Sequence, residues 1–134
     1  MNDNSLIDSN VLIYAYDQSD KEKHQKAKKL LSACWERKAF FFISSQNLAE
    51  FFVIVTSKIK PALSTNEAES IIKDIINFSQ WRIISYNEDT ILNAIKLHKK
   101  HFWDSLIVAT MLENSVFTIY TENMSDFAQF EKKN

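Results

Sequence analysis

The sequence predicts a single α/β domain, with a parallel sheet covered by helices on both faces. Short apolar segments alternate with helical patterns along the chain, and no Gly/Ser/Pro-rich linker or internal repeat divides it. Its length of 134 residues is also typical of one domain. Because strands separated by helices return to a sheet in parallel, we expect one continuous domain over residues 1–134.

The first half of the chain contains two units in which a strand is followed by a helix. An apolar run before Asp8 predicts the first strand, and an aromatic run predicts the second, which Ser44 and Ser45 close as helix-capping residues. Between these units, apolar residues recur at helical spacing beside a lysine-rich face. The predicted elements are the strand Ser5–Ile7, the helices Val11–Tyr16 and Asp20–Trp35, the strand Phe40–Ile43 and the helix Gln46–Ser57.

The second half continues the alternation after Pro61, the single proline. Ser64 and Glu67 form a capping-box pattern ahead of isoleucines at helical spacing, and Asn87 is suited to cap a further helix. The predicted elements are the helix Glu67–Phe78, the strand Arg82–Tyr86, a helix from Asn87 to about His98, the helix Ser105–Glu113 and the strand Val116–Tyr120.

The composition argues against several classes of function. Glycine is absent, whereas Walker-A loops, dinucleotide-binding turns and nucleophile elbows need it where the backbone takes positive φ or approaches a phosphate. The single cysteine, Cys34, cannot form an internal disulfide. With a net charge of −1, any contact with nucleic acid has to be local or metal-mediated. The chain also lacks a secretory signal pattern and a membrane-length apolar run, so we expect a cytoplasmic protein.

Three acids lie beside or inside apolar segments. Asp8 follows the first strand, at the end where active crevices of parallel sheets form, and Asp104 lies where a helix begins and favours negative charge. Either of these alone is explained as well by helix capping. Glu50 lies within a helix among apolar neighbours, so we expect it to bind a cation, with a lysine ion pair as the structural alternative. Together the three predict a Mg²⁺ or Mn²⁺ site.

Four motifs along the chain resemble those of PIN-domain nucleases, and most closely those of VapC-type ribonuclease toxins. Each motif alone is weak, but their order and spacing extend over nearly the whole sequence. The motifs are Leu6–Ile13, Glu50 after Ser44 and Ser45, Phe102–Ala109, and Tyr120–Asn123 followed by Asp126 and Phe127.

The resemblance implies a PIN-like three-layer α/β/α fold with a parallel sheet of four to five strands. It implies that Asp8, Glu50 and Asp104 gather at one end of the sheet, bind Mg²⁺ or Mn²⁺ and direct a water molecule to cleave RNA phosphodiester bonds. Ser9 or Asn10, together with Thr121, would help to position the metal or the water. As a VapC-type toxin, the protein would form a homodimer and bind a cognate antitoxin protein.

The fourth acid of the family pattern has two candidates. Many members carry aspartate where this chain has Asn123, whereas others carry an Asp-Phe pair where Asp126 and Phe127 stand. The resemblance therefore implies Asp126 as the first choice and Glu122 as the second. Because of Asn123, a catalytically degenerate PIN-like module that binds RNA or protein is the alternative function.

Basic and aromatic residues outside the motifs predict contact surfaces. Lys99, Lys100 and His101 stand just before Asp104, so we expect them to contact RNA phosphates, with a solvated cluster as the alternative. The lysines between Asp20 and Trp35 are better explained as a solvated helix face. For a dimer or an antitoxin, the candidate surface is the apolar stripe of the fourth predicted helix.

Two of the three tryptophans are also predicted to lie outside the core. Most of the aromatic residues occupy positions with core periodicity, but Trp81 and Trp103 are candidates for an interface, because tryptophan is enriched there.

Overall fold

The computed structural model describes residues 4–122, in which four strands alternate with six helices. The strands are β1 (Ser5–Ile7), β2 (Phe41–Ser44), β3 (Trp81–Ile84) and β4 (Thr118–Tyr120). The helices are α1 (Ser9–Tyr14), α2 (Lys21–Trp35), α3 (Ser45–Ser57), α4 (Thr65–Asn77), α5 (Glu88–Leu97) and α6 (Phe102–Glu113). Every element predicted from the sequence is present; β1 has the predicted bounds, and the bounds of the other elements are shifted.

The four strands form one parallel sheet in the order β3-β2-β1-β4. Leu6 of β1 pairs with Phe42 on one side and with Ile119 on the other. Since β1 is flanked by β2 and β4, the carboxyl ends of these three strands meet at one edge of the sheet. Asp8, the start of α3 and Thr121 are consequently neighbours, and the predicted parallel α/β architecture is confirmed.

The core consists of layers on opposite faces of the sheet. Successive residues of a strand point to opposite faces, and in β1 Ile7 packs with Phe41 and Phe51 in one hydrophobic cluster, while Leu6 packs with Ile107 in another. The first cluster is covered by α1 to α4 and the second by α6. This arrangement is the three-layer α/β/α sandwich that the family resemblance implied.

Trp81 belongs to the core, so the prediction that it lies at an interface is wrong. It is 4% exposed and packs in the same cluster as Phe41, because β3 pairs with β2 and turns this side chain inward. The apolar stripe of α4 is also used mainly inside the chain. Ala68 and Ile75 are fully buried against the core, whereas Ile76 is 54% exposed.

Two helices end in left-handed residues although the chain contains no glycine. These residues are Arg37 after α2, with φ 63°, and Ser115 after α6, with φ 57°. At both ends two backbone N–H groups bond back to the last turn, which is the Schellman pattern. The bonds are Arg37 to Cys34 (3.0 Å), Lys38 to Ala33 (2.8 Å), Ser115 to Leu112 (3.2 Å) and Val116 to Met111 (2.9 Å).

The helices of the described region are all of moderate length. Among residues 4–122, none is both long enough and apolar enough to cross a lipid bilayer.

Candidate active site

Asp8 lies where β1 ends and α1 begins. Its backbone N–H donates to the Tyr120 carbonyl at the end of β4 (3.0 Å), which extends the sheet by one bond. Its side chain caps α1, because Oδ1 accepts from the Ser9 N–H (2.7 Å). The capping explanation is therefore correct for Asp8, and the cap also fixes the direction of its carboxylate.

The second oxygen of Asp8 is held by Thr121. Thr121 Oγ1 donates to Asp8 Oδ2 (2.8 Å), and Asn10 Nδ2 donates to Thr121 Oγ1 (3.3 Å). Asn10 thus orients a hydroxyl that orients the carboxylate. The structure places Asn10 and Thr121 beside Asp8, where the family resemblance put them.

Asn47 also supports Asp8, although this contact was not predicted from the sequence. Its side chain is fully buried at the start of α3, where Oδ1 accepts from the backbone N–H (3.2 Å) and the hydroxyl (2.7 Å) of Ser44. Its Nδ2 donates to Asp8 Oδ1 (3.3 Å). The helix cap of α3 is thereby connected to the acid. The third position after a capping serine was the local signal for the cap.

Glu50 points from α3 into an open cleft. Ser9 Oγ donates to Glu50 Oε2 (2.8 Å) and lies 3.4 Å from Asp8 Oδ1, so one hydroxyl lies between the two acids. Glu50 is not desolvated as its apolar sequence neighbours suggested, because the core-facing side of α3 carries Phe51 and Val55 while Glu50 is exposed. Glu50 takes part in none of the ion pairs found within residues 4–122. The lysine alternative is therefore unsupported.

Asp104 lies in the first turn of α6 and lines the same cleft as Asp8 and Glu50. The prediction that it begins the helix is wrong by two residues: α6 starts at Phe102 with His101 in the capping position. Phe102 packs against a small cluster between α5 and α6, which extends the helix toward its N-terminus. A first-turn acid still benefits from the helix dipole.

Gln46 connects two of these acidic positions, and the sequence analysis missed it. Its Nε2 donates to Glu50 Oε1 (3.1 Å) and to the carbonyl of Trp103 (3.3 Å), the residue before Asp104. Its Oε1 is buried and has no hydrogen-bond partner among the described residues. The spacing of four residues between Gln46 and Glu50, which places them on one helix face, is the sequence signal that could have identified this pair.

The cleft has a volume of about 800 Å³ and brings the three predicted acids to one place. No group of three or more histidine, cysteine, aspartate or glutamate side chains forms a ready metal-ligand cluster within the described part of the chain. The acids therefore share a cleft rather than a closed cage. Much of the wall is apolar or aromatic, contributed by Ile13, Ala49, Val53, Ile54, Tyr86, Trp103 and Ile107.

The electrostatics of the cleft favour a cation. Burial is the largest influence on Asp8 and raises the pKa of its carboxyl group above the ordinary value. Hydrogen bonds from Thr121 and Ser9 lower this pKa, whereas the negative charge of Glu50 raises it further. A positive charge would relieve both burial and repulsion. With oxygen donors from carboxylates, the residues present suit Mg²⁺ or Mn²⁺.

Glu122, the second choice for the fourth acid, lies outside the cleft. Its carboxylate forms an ion pair with Lys23 of α2, and this hydrogen bond lowers the pKa of Glu122. Glu122 and Lys23 line a separate groove of about 440 Å³ with Tyr14. Asp126, the first choice, lies outside the described residues.

The predicted RNA-contacting cluster lies close to Asp104 in the sequence but does not line the cleft. Lys99, Lys100 and His101 are exposed in the segment between α5 and α6. They directly precede the first turn of α6, which carries Asp104, and their side chains are accessible to solvent.

Comparisons with known proteins agree with this fold. The PIN domain family model matches residues 5–133. VapC20 of Mycobacterium tuberculosis, a toxin that cleaves the sarcin–ricin loop, superimposes with a TM-score of 0.69 at 15% identity, over 93% of this chain and 95% of that chain. A toxin–antitoxin complex from Klebsiella pneumoniae gives a TM-score of 0.62 at 24% identity, over 93% and 91% of the two chains.

A third similar structure is VapBC2 of Rickettsia felis, bound to a DNA fragment from its promoter. Its TM-score is 0.58 at 19% identity, over 93% of this chain and 90% of that chain. No curated protein sequence matches the chain. At these identities the structural similarity shows only the fold, and the assignment to a family rests on the match to the family model.

Proposed function

Because this chain belongs to the PIN-domain family, we propose that it is a metal-dependent endoribonuclease and the toxin of a toxin–antitoxin pair. The observation that carries the proposal is the convergence of Asp8, Glu50 and Asp104 on one cleft beyond the carboxyl ends of the strands. Similar structures are a toxin that cleaves an RNA loop and a toxin–antitoxin complex, which supports the toxin role.

Asp8, Glu50 and Asp104 would hold Mg²⁺ or Mn²⁺ in this proposal. When bound, the cation supplies a water molecule of lowered pKa and neutralises the charge that grows on the phosphate. The chain itself contributes orientation. Thr121 and the Ser9 N–H fix Asp8, while the Ser9 hydroxyl and Gln46 direct Glu50.

Further parts of the proposal concern residues around the cleft. Asp126 is the fourth acid, since Glu122 is paired with Lys23 outside the cleft. Lys99 and Lys100, with His101, attract the RNA backbone toward the acids by their charge and exposure. We also propose that the protein forms a homodimer, binds a cognate antitoxin protein and acts on RNA in the cytoplasm.

The direct test is incubation of purified protein with structured RNA in Mn²⁺, in EDTA, and in EDTA followed by excess Mn²⁺. We expect discrete cuts that EDTA abolishes and Mn²⁺ restores. The matched controls are Asp8→Asn and Asp104→Asn, each of which preserves side-chain shape and removes one charge. Undiminished cleavage by a well-purified Asp8→Asn variant would show that the cuts arise elsewhere.

A second candidate function is a degenerate PIN module that binds RNA or a protein without cutting. Asn123 in place of an aspartate favours it, as does the lack of a ready metal-ligand cluster among residues 4–122. The same experiment separates the two functions. RNA that is bound but not cut in Mn²⁺ would establish the binding module.

A further inference from the structure

Beside the acids, the cleft has an aromatic wall that the proposed chemistry does not use. We propose that Trp103 and Tyr86 form a stacking site for one unpaired nucleobase of the RNA, next to the phosphate that is cleaved. The inference rests on the proposed function and names the side chains that would hold a base of its RNA substrate.

Trp103 is the tryptophan that this chain exposes. It is 62% exposed and lines the cleft, whereas Trp81 is 4% exposed and Trp35 is half-buried. Trp103 directly precedes Asp104 in the first turn of α6. A large flat apolar side chain is thus open to solvent one residue from a proposed metal ligand.

The position of Trp103 is fixed from two sides. Its indole ring makes an edge contact with the Phe102 ring, with centroids 5.8 Å apart and planes at 70°. Its carbonyl accepts from Gln46 Nε2, the same amide that donates to Glu50. The backbone of Trp103 is therefore tied to Gln46 and Glu50, and the ring contact with Phe102 reduces the ordering that stacking on the indole would require.

The acidic and the apolar regions of the cleft suit different parts of a nucleotide. The carboxylates repel a bare phosphate, which can approach only at the proposed cation. Tyr86, 39% exposed, continues the apolar surface with Val53 and Ile54. A nucleobase is flat and uncharged, and it stacks on aromatic side chains. Of the components of RNA, the base therefore matches this wall.

The requirement for an unpaired base follows from the geometry of RNA helices. In A-form RNA the bases are stacked inside the duplex, and side chains stack only on bases that loops, bulges or single strands expose. A volume of about 800 Å³ accommodates a splayed base together with its ribose and phosphate. Fully paired RNA would leave Trp103 without a partner.

The test uses the full chain carrying Asp8→Asn, which prevents cleavage under the proposed function and reduces repulsion of the RNA. Tryptophan fluorescence is recorded while a short oligoadenylate is added, and then an abasic ribose-phosphate oligomer of equal length. We expect the oligoadenylate to quench the signal and the abasic oligomer to leave it nearly unchanged. Binding is measured in parallel by anisotropy of labelled RNA.

Variants assign the signal to one side chain. Trp103→Ala should weaken oligoadenylate binding by roughly tenfold or more, as expected when one stacked base loses its aromatic partner. Trp103→Phe should retain most of the affinity while losing the quenching. Phe117→Ala is the matched control, because Phe117 is 64% exposed but does not line the cleft; its affinity should equal that of the parent.

The outcomes separate this inference from the proposed function. Unchanged affinity of Trp103→Ala, or equal quenching by the abasic oligomer, overturns the base-stacking site and leaves the aromatic wall to a protein partner. Wild-type protein that cuts no RNA refutes the nuclease, while Trp103-dependent quenching in the same preparation still supports the stacking site.

Discussion

Asp8 and Glu50 share one cleft and one serine hydroxyl, yet their surroundings are opposite. Asp8 is 7% exposed, and its carboxylate accepts from the Ser9 N–H, Asn47 and Thr121. Glu50 is exposed, and its carboxylate accepts from Ser9 Oγ and Gln46 alone among the described side chains. One acid is held rigidly before any ligand binds, whereas the other can adjust its longer side chain.

The difference indicates that the site contains one carboxylate in a fixed position and one that is open to solvent. In the proposed metal site, a carboxylate held by three elements of the fold would define where the cation binds, and the exposed carboxylate of Glu50 would adjust to it. Asp8 provides the fixed point because α1, α3 and the residue that follows β4 all supply donors to its carboxylate. Glu50 is exposed and accepts from only two of the described side chains, Ser9 of α1 and Gln46 of α3, so its position is more easily changed.

The largest expected effect comes from changing side-chain length at constant charge. Asp8→Glu should lower the cleavage rate on the order of 10²-fold, because a fixed group is displaced by about 1 Å. Glu50→Asp should lower it only about tenfold, since the exposed side chain has room to compensate. Single-turnover cleavage rates in saturating Mn²⁺ measure both. Equal losses would contradict the comparison.

A second prediction concerns the donor that holds Asp8 Oδ2. Thr121→Val preserves shape but removes the hydroxyl, so the free energy of unfolding should fall by about 2 kcal/mol, typical of a hydrogen bond to a charged group. Urea denaturation measures this change, and Thr121→Ser, which keeps the hydroxyl, is the control. If the valine and serine variants are equally stable, Thr121 does not hold the carboxylate.

The pH dependence of stability provides a third test, performed in EDTA. Because the pKa of Asp8 is raised in the folded protein above its ordinary value of 3.8, the charge destabilises the fold at neutral pH. That cost is lost once the pH falls below the unfolded value and both states are protonated. Asp8→Asn should therefore be more stable than the wild type near neutrality, with a difference that disappears below about pH 3.8.

The prediction is wrong if Asp8→Asn is less stable than the wild type at neutral pH. In that case its hydrogen bonds outweigh the burial of its charge. Chemical denaturation at several pH values decides between these outcomes.

The smallest effect is expected at Glu122, the acid outside the cleft. Glu122→Gln breaks the pair with Lys23 and should leave the cleavage rate close to that of the wild type, whereas Asp126→Asn should reduce it strongly. The two variants assayed side by side identify the fourth acid. Strong loss in Glu122→Gln with full activity in Asp126→Asn would reverse the assignment.

Much of the fold was predictable because its signals are local. The apolar runs of the strands and the capping residues Ser64 and Asn87 act within a few positions of themselves. The proximity of Asp8 and Glu50 was also predictable, since the carboxyl ends of parallel strands lie at one edge of the sheet. Membership of the PIN family and the three-layer fold followed from the order of the motifs.

Other features depend on residues far apart in the chain. Asn47 and Gln46 reach partners 39 and 57 positions away, and no local pattern encodes these bonds. The start of α6 is set by the packing of Phe102, and the exposure of Glu50 by which face of α3 meets the sheet. Periodicity identified α3 as a helix but did not show how it was rotated.

The two left-handed helix ends bear on the unfolded state as well as the folded one. Arg37 and Ser115 adopt positive φ without glycine, at a steric cost of roughly 1–2 kcal/mol each. A chain without glycine has fewer accessible backbone conformations when unfolded, and each glycine replaced at a compatible position stabilises a fold by about 0.4–1 kcal/mol. Strain at two turns is thus offset by the smaller conformational entropy that this chain loses when it folds.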